Sequence, residues 1–301
     1  MPTSDRSFRM LYDISLQIEY HYPDLADAGR HQIRVMPADL PGEQRSIAAT
    51  FTVDPVPQEQ IERTDFFGNR LTELLFDQPH ESITLQVKAR VDRPAPLPRL
   101  DCSPTLTALA AEIASYRGVD ADSPHHFTGA SVRVPIEQET TDYARSLHTP
   151  GATALETISA INTALHRDMR FDPEATTVET PMLEAFERRH GVCQDFTHIM
   201  IACLRGIGIP AGYVSGYLRT IPPEGKSRLE GADAMHAWVR AWCGREMGWI
   251  EFDPTNAMMA GEDHIVIARA RDYFDVAPVR GVMRSAGAHT TRHSVDVVPV
   301  V

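Results

Sequence analysis

The sequence predicts an α+β protein in which an antiparallel β domain precedes a core of helices followed by strands. Apolar and polar residues alternate in several segments of the first 93 residues, which indicates half-buried strands. Apolar residues follow helical spacing between residues 153 and 207, and strand-like segments return after residue 211. Helices followed by strands are typical of the α+β class, and 301 residues suffice for two domains.

The first domain, residues 1–93, is predicted to be an antiparallel β-sandwich. In "YDISLQIEYHY", every second residue from Tyr12 to Tyr22 is apolar or aromatic, and the residues between them are polar. The segments "HQIRVMP", "SIAATFTVDP" and "SITLQVKARVD" have a similar pattern, and Gly68-Asn69 marks a turn. We interpret this domain as a module for packing or oligomerisation.

The proline-rich segment 94–104 is predicted to connect this domain to a core of residues 105–301. A capping-box pattern, Thr153-x-x-Glu156, opens one predicted helix. A later helix is predicted to begin at Cys193 and to end at the glycines and proline between residues 206 and 210. The strand-like segments "AGYVSGYLRT", "MHAWVRAW" and "WIEFDPT" follow, with a polar surface loop predicted at residues 221–233.

Charge and composition argue against several classes of partner. The net charge of −12 makes nucleic acid and anionic membranes improbable main partners, because both bind basic surfaces. The chain has no apolar run of membrane-spanning length, and its start lacks the pattern of a signal peptide. Four scattered cysteines without a CxxC pattern indicate reduced thiols. We therefore expect a cytoplasmic protein, and the oligomeric state stays open.

Cys193 differs from the other cysteines because it lies where a helix is predicted to begin, directly after "GV". Unpaired backbone N–H groups and the helix dipole at this place favour a thiolate, which is the nucleophilic form. The same N–H groups could stabilise an oxyanion. Cys203, by contrast, lies on the apolar face of the same predicted helix and is interpreted as a core residue.

A thiolate needs a histidine that exchanges its proton, and His236 is the best candidate. The segment "MHAWVRAWCGREMGWIEFD" predicts a β-hairpin. A loop of residues 243–246 would place His236 directly opposite Asp253, with Cβ atoms about 4.5–5.5 Å apart. Asp253 would then orient the imidazole, as carboxylates do in catalytic triads. A register shift by one residue would put the two side chains on opposite faces.

Three short motifs together resemble the core of the transglutaminase-like superfamily. "GVCQDF", "HAW" and "WIEFDPTNA" occur in the order in which this group of papain-like α+β cysteine enzymes carries its Cys, His and Asp. The segment "GIPAGYVSGYL" resembles the strand after the nucleophile helix. The N-terminal β region resembles the domain that precedes this core in many bacterial members, and residues 263–282 resemble their C-terminal segment.

The resemblance implies a papain/transglutaminase-like catalytic core, with Cys193 as nucleophile, His236 as general base and Asp253 as the carboxylate that orients it. Peptides, proteins or other amides would be the substrates, and no cofactor is implied. The run "QDF" after the cysteine departs from the more aromatic run of animal cross-linking transglutaminases, and the chain lacks a calcium-loop pattern. We therefore expect a protease or amidase, or an acyl transferase, rather than a protein cross-linking enzyme.

Four further residues are candidates for the oxyanion site or for the walls of the cleft: Gln194, Trp238, Trp249 and Tyr217. Gln194 follows the nucleophile and could donate a hydrogen bond to an oxyanion. Trp238 and Trp249 share a face with His236 in the predicted hairpin, although tryptophans clustered on one hairpin more often pack in a core. Tyr217 is the weakest of the four.

Two other interpretations are weighed against the cysteine enzyme. His190, Cys193 and His198 could ligate a metal ion, but their spacing fits no zinc pattern, and we predict no metal. The same cleft could instead be a non-enzymatic module that binds a peptide or a partner protein. A binding role does not require cysteine, histidine and aspartate together, so their joint presence favours the enzyme.

Overall fold

The computed structural model of the protein describes residues 9–97, 99–221, 231, 233–284 and 290–300. Two antiparallel sheets form a β domain, and a third antiparallel sheet packs against helices in the core. This architecture confirms the predicted α+β class. No helix in these ranges is long and apolar enough to cross a membrane. The predicted polar loop at residues 221–233 lies largely outside the described residues.

The strands of the β domain and the helices follow the chain in this order. The first strands are β1 (Arg9–Ala26), β2 (Ala28–Ile33), β3 (Arg45–Asp54), β4 (Glu59–Thr64), β5 (Arg70–Phe76) and β6 (His80–Pro94). The helices are α1 (Leu106–Ser115), α2 (Gln138–Leu147), α3 (Ala154–Asp168), α4 (Met182–Arg188), α5 (Cys193–Gly206) and α6 (Tyr273–Val276).

The remaining strands lie between and after the helices. They are β7 (Arg170–Phe171), β8 (His190–Gly191), β9 (Ala211–Leu218), β10 (Ala234–Trp242), β11 (Trp249–Asp253), β12 (Met258–Met259), β13 (His264–Ala270), β14 (Val279–Arg284) and β15 (Thr290–Val300). The core sheet has the order β12-β11-β10-β9-β13.

The two sheets of the β domain bury the apolar residues that alternate along their strands. Their strand orders are β15-β1-β6-β3 and β14-β2-β5-β4. On β1, Tyr12, Ile14, Leu16 and Ile18 are all buried, as their period of two predicts. The apolar face of each sheet therefore points into a shared interior.

The last two strands of the chain pair with the β domain. β15 pairs antiparallel with β1, and β14 pairs antiparallel with β2. The sequence analysis placed residues 279–300 in the core of residues 105–301, and the structure differs at this point. Without β14 and β15, β1 and β2 would be unpaired sheet edges, which expose backbone hydrogen-bonding groups.

Helix α5 is the central helix of the core. Its residues Phe196, Met200, Cys203 and Leu204 are fully or almost fully buried. Cys203 is therefore a core residue, as its place on the apolar face predicted. The predicted capping box is also present, at the start of α3, where the Thr153 side chain accepts from the backbone of Glu156.

The β domain covers the edge strand of the core sheet, β13. Gln44 accepts a hydrogen bond from Val266 N (2.8 Å) and donates one to the carbonyl of Val266 (2.8 Å). Asn69 accepts from Arg269 N (2.8 Å) and donates to the carbonyl of Arg269 (2.9 Å). These two side-chain amides satisfy backbone groups that a sheet edge leaves unpaired, and they hold β13 in place.

Strand β9 contains a glycine at the point where its neighbours approach most closely. Gly216 lies opposite His236 in the pairing of β9 with β10. A Cβ atom at Gly216 would collide with the carbonyl oxygen of Ile265 and with the ring of Trp238. A residue without a side chain is therefore required to let β13 and Trp238 pack against β9.

Candidate active site

Cys193 is the first residue of α5, as the sequence predicts. The carboxylate of Asp195 turns back and accepts hydrogen bonds from Val192 N (2.8 Å) and from the hydroxyl of Thr176 (2.6 Å). A Cβ atom at Gly191 would lie 2.5 Å from Oδ2 of Asp195. The glycine before the nucleophile thus leaves room for the carboxylate that caps the helix.

Two backbone N–H groups at the start of α5 are available to an anion. Asp195 N and Phe196 N donate to the carbonyl of Val192, whereas Cys193 N and Gln194 N have no acceptor in the described part of the chain. Such groups favour negative charge at a helix N-terminus. The side-chain amide of Gln194 donates to the carbonyl of Val178 (3.3 Å), so it anchors the segment before α4, and its role at an oxyanion stays a prediction.

His236 is buried on β10 and is coupled electrostatically to Cys193. Burial lowers the pKa of His236, but the charge of the Cys193 thiolate, hydrogen bonds with Asp253 and Cys193, and the charge of Asp253 together raise it to about 10. A negatively charged Cys193 would therefore stabilise the protonated imidazole of His236. A pair of this kind is the arrangement that activates a cysteine nucleophile.

The hydrogen bond between His236 and Asp253 assigns a different task to each ring nitrogen. Nε2 of His236 lies 2.8 Å from Oδ2 of Asp253. An ionised carboxylate can only accept, so Nε2 carries the hydrogen of the neutral ring and Nδ1 has the lone pair. Nδ1 is therefore the atom that can exchange a proton with the thiol of Cys193.

Asp253 is fully buried and accepts hydrogen bonds on both oxygens. Oδ1 accepts from Thr255 N (2.9 Å) and Asn256 N (3.2 Å), and Oδ2 also accepts from Asn256 Nδ2 (2.7 Å). Burial by itself would raise the pKa of Asp253, but hydrogen bonds with His236, His264 and Asn256 and the charge of His236 hold it far below its usual range. Asp253 therefore stays ionised beside the imidazole.

A second histidine, His264, contacts the same carboxylate, and the sequence analysis missed it. Its Nε2 lies 3.1 Å from Oδ2 of Asp253, and the residue is 1% exposed. The available signal was a histidine at the start of the apolar strand "HIVIA". Nothing in that pattern indicates that the first residue of β13 reaches Asp253 on β11, because β10 and β9 lie between these two strands in the sheet.

The hairpin of β10 and β11 has a register two residues away from the predicted one. Trp242 lies opposite Trp249, so the loop spans residues 243–248 rather than 243–246. Gly244 and Gly248 both have positive φ, which the longer loop requires. Because side chains alternate with a period of two, a shift of two keeps His236 and Asp253 on one face, and they meet diagonally instead of directly opposite each other.

Comparisons with known proteins cover most of the chain. The model of the transglutaminase-like superfamily core matches residues 141–254, and the model of the bacterial transglutaminase-like N-terminal region matches residues 12–92. An uncharacterized protein of Mycobacterium tuberculosis is 33% identical over 293 residues, which are 96% of this chain and 92% of the relative. The chain belongs to the transglutaminase-like superfamily.

Other relatives agree with this membership. An uncharacterized protein of Mycobacterium leprae is 30% identical over 272 residues, which are 89% of this chain and 91% of the relative. The crystal structure of a "putative cysteine protease" from Cytophaga hutchinsonii matches with a TM-score of 0.78 at 20% identity, over 98% of this chain and 92% of that one. The two chains share their fold, and at the level of the superfamily the protein is of the cysteine-enzyme type.

Trp238 packs beside the two histidines of this transglutaminase-like core. It is fully buried, its ring lies 6.2 Å from that of His236 and 5.2 Å from that of His264, and its Nε1 donates to Glu251 (2.8 Å). The sequence analysis considered Trp238 as a wall of an open cleft. The structure instead buries it beneath the imidazole of His236, because Glu251 satisfies its N–H inside the protein.

The side chains of the two remaining cleft candidates contact other parts of the protein. Tyr217 is fully buried and donates its hydroxyl to the carbonyl of Val35 (2.5 Å), so it joins the core to the β domain instead of lining a cleft. Trp249 lies 4.2 Å from the guanidinium of Arg240, and its Nε1 donates to the carbonyl of Asp122 (3.0 Å). Trp249 therefore supports Arg240, and the structure shows no contact between it and the imidazole.

His198 is a structural residue, as the sequence analysis preferred. Its Nε2 accepts a hydrogen bond from Tyr273 N (3.2 Å), and burial lowers the pKa of His198 to about 3. One of the two ring nitrogens that could bind a metal ion is therefore occupied by a backbone N–H. This geometry does not support the metal site of His190, Cys193 and His198 that was weighed and rejected above.

The residues around Asp253 include three side chains with potential metal-ligating atoms. Within the described ranges, His236, Asp253 and His264 offer ligand atoms that lie within 4.8 Å of one another. Gly261 N donates to Nδ1 of His264 (3.2 Å), so Nε2 of His264 carries a hydrogen and has no lone pair for a metal ion. The three side chains are better explained as a hydrogen-bonded group.

Proposed function

We propose that the protein is a cysteine-nucleophile enzyme that acts on amide bonds, with Cys193, His236 and Asp253 as its catalytic residues. The observation that carries the proposal is the coupling of the Cys193 thiol to an imidazole whose other nitrogen is held by a buried carboxylate. Membership of the transglutaminase-like superfamily supports the same chemistry. A peptide, a protein or another amide would be the substrate.

The reaction begins with the transfer of the Cys193 thiol proton to Nδ1 of His236. The sulfur then attacks the carbonyl carbon of the amide, and the new S–C bond puts negative charge on the carbonyl oxygen. The imidazolium returns its proton to the amide nitrogen, the C–N bond breaks and the amine leaves. Water, activated by His236, releases the acid from the thioacyl enzyme and restores the thiol.

The start of α5 supports stabilisation of the oxyanion. Cys193 N and Gln194 N are unpaired within the described residues and lie at the positive end of the helix dipole. The carboxylate of Asp195 accepts hydrogen bonds from Val192 N and from the hydroxyl of Thr176, and not from these two N–H groups. The carboxylate therefore holds the helix start in place while leaving the N–H groups beside the nucleophile available.

Hydrolysis is favoured over transfer to an amine. Water is present as an acceptor in any open site, whereas transfer needs a site that binds a second, amine-bearing substrate. Asp253 is the carboxylate that contacts His236, and its hydrogen bonds with His236, His264 and Asn256 already use it. A protease or amidase is therefore the proposed reaction class.

The test uses p-nitrophenyl acetate as an acyl donor and locates the acetyl group by peptide mapping. Wild-type protein should release p-nitrophenol and carry acetyl on Cys193, and Cys193→Ala should do neither while it stays folded. Cys102→Ala, which removes an exposed cysteine, is the matched control and should behave as wild type. Unchanged release by Cys193→Ala would refute the mechanism. Reversible peptide binding without acylation would support the binding module instead.

A further inference from the structure

His264 is a buried polar residue that the proposed reaction does not use directly. It lies at the start of β13, is 1% exposed, and makes a hydrogen bond to Oδ2 of Asp253 (3.1 Å). Oδ2 is also the atom that accepts from Nε2 of His236 (2.8 Å). Two histidines therefore share a single oxygen of a fully buried carboxylate.

The hydrogen on His264 is assigned by its second contact. Gly261 N lies 3.2 Å from Nδ1 of His264, and a backbone N–H can only donate. Nδ1 is therefore the acceptor, and Nε2 of the neutral ring carries the hydrogen that points to Asp253. A second hydrogen bond joins the same two residues, from His264 N to the carbonyl of Gly261 (3.2 Å). Together the two bonds fix the ring of His264 at the start of β13.

Nε2 of His264 restrains Oδ2 of Asp253, the carboxylate oxygen that contacts His236. The backbone N–H groups of Thr255 and Asn256 hold Oδ1 of Asp253. The other donor to Oδ2, Nδ2 of Asn256, belongs to an exposed residue, so water can replace it. His264 is a buried donor to Oδ2, whereas the backbone holds Oδ1, and the two attachments together restrain the carboxylate that contacts His236.

The β domain in turn holds His264. Gln44 clamps Val266, two residues farther along β13, through both its N–H and its carbonyl. The hydroxyl of Tyr12 on β1 donates to Asp263 (2.8 Å), the residue before His264, and Arg219 pairs with the same carboxylate (3.1 Å). Contacts from the β domain therefore flank the histidine on both sides along the chain.

We propose that His264 is a positioning residue: its neutral Nε2–H holds the carboxylate of Asp253 so that this carboxylate orients His236 for proton exchange with Cys193. The inference rests on the proposed function. It also gives the β domain a role in the reaction, because this domain fixes the strand that carries His264.

Two substitutions separate the two hydrogen bonds of the ring. The amide nitrogen of glutamine is as many bonds from Cα as Nε2 of histidine, so His264→Gln can still donate to Asp253. The amide oxygen of asparagine is as many bonds from Cα as Nδ1, so His264→Asn can still accept from Gly261 but cannot reach Asp253. A structural role would be disturbed by both changes, whereas a positioning role depends on the donor that only glutamine keeps.

The readout is the rate of iodoacetamide alkylation of Cys193 at pH 7 in the full chain, resolved from the other cysteines by peptide mapping and measured on folded protein. His264→Asn should react about tenfold more slowly than wild type, and His264→Gln should react within about threefold of it, as orienting partners behave in other sites. Urea denaturation of the same samples gives the stability of each variant. If His264→Asn does not fold, His264→Leu replaces it as the variant that lacks the hydrogen-bond donor.

Each outcome supports or overturns the inference. Alkylation of folded His264→Asn or His264→Leu at the wild-type rate overturns it, and so does an equal loss in His264→Gln and His264→Asn. A failure of the proposed function has a separate signature, since Cys193 in wild type would then react no faster than in His236→Gln. In that case no histidine activates the thiol, and the positioning role falls with it.

Discussion

Replacing Asp253 by asparagine should disable the imidazole without removing any backbone contact. Oδ1 of asparagine can still accept from Thr255 N and Asn256 N, which hold that oxygen at 2.9 and 3.2 Å. The amide nitrogen, however, takes the place of Oδ2 and donates where His236 also donates at 2.8 Å. The imidazole can satisfy this amide only by moving its hydrogen to Nδ1.

The change of tautomer sets the size of the effect. With a hydrogen on Nδ1, His236 cannot accept the proton of the Cys193 thiol, which is the fault that the same substitution causes in serine proteases. We expect kcat to fall on the order of 10⁴-fold, or about 5.5 kcal/mol in activation free energy. The possible decrease in the alkylation rate is smaller. An ordinary thiol is about 3% ionised at pH 7, so its alkylation is at most about 30-fold slower than that of a fully ionised thiolate.

Alkylation by iodoacetamide measures this effect without a known substrate. Asp253→Asn should react at Cys193 at least about tenfold more slowly than wild type at pH 7, within the limit set by thiol ionisation. Asn256→Ala is the matched control, since it removes a donor to Oδ2 from an exposed residue but keeps the charge. It should stay close to wild type. If Asp253→Asn reacts as fast as wild type while folded, the carboxylate does not orient the imidazole and the reasoning is refuted.

Three other predictions concern stability, measured by urea denaturation. Because the folded-state pKa of His236 is raised to about 10, above about 6.5 in the unfolded chain, its stabilisation is complete below about pH 6.5 and is lost as the pH rises toward 10. Cys193→Ala removes the thiolate that raises this pKa and should flatten the decline, and parallel pH profiles would contradict the ion pair. Gly216→Ala should lower the free energy of unfolding by about 2 kcal/mol, because its Cβ has no room, whereas Gly129→Ala, with open space around it, should change little. Glu251→Gln should cost about 3 kcal/mol, since it removes the carboxylate that pairs with Arg93 and, together with Glu43, with Arg269; a loss below about 1 kcal/mol would show that this network adds little.

The candidate active site was predictable from the sequence because its chemistry depends on local features. A cysteine at a helix start, preceded by a glycine, can be recognised from the residues next to it. His236 and Asp253 lie on one hairpin. Because side chains alternate along a strand, any register that differs by an even number of residues keeps both on the same face. The predicted loop was two residues too short, yet the pair stayed together, because an even error keeps both side chains on the same face.

Features that depend on distant strands were not predictable in this way. The pattern of "HIVIA" predicts a strand, but not that the strand lies at the edge of the sheet where His264 reaches Asp253. The same holds for Trp238, whose burial follows from the glycine opposite His236 and from the carboxylate of Glu251 that accepts its N–H. Local periodicity reports which residues face a core, and it contains no information about which strands become neighbours.

The sequence by itself determined the α+β class, the superfamily motifs and the identity of Cys193, His236 and Asp253, since each of these depends on residues that are near in the chain. Only the tertiary structure decided that β14 and β15 complete the sheets of the β domain and that His264 shares a carboxylate oxygen with His236. The pairings of β14 and β15 join the two ends of the chain. His264 lies near Asp253 in sequence, but β10 and β9 separate their two strands in the sheet. These contacts form because unpaired strand edges and buried polar groups must find partners wherever the fold brings them together.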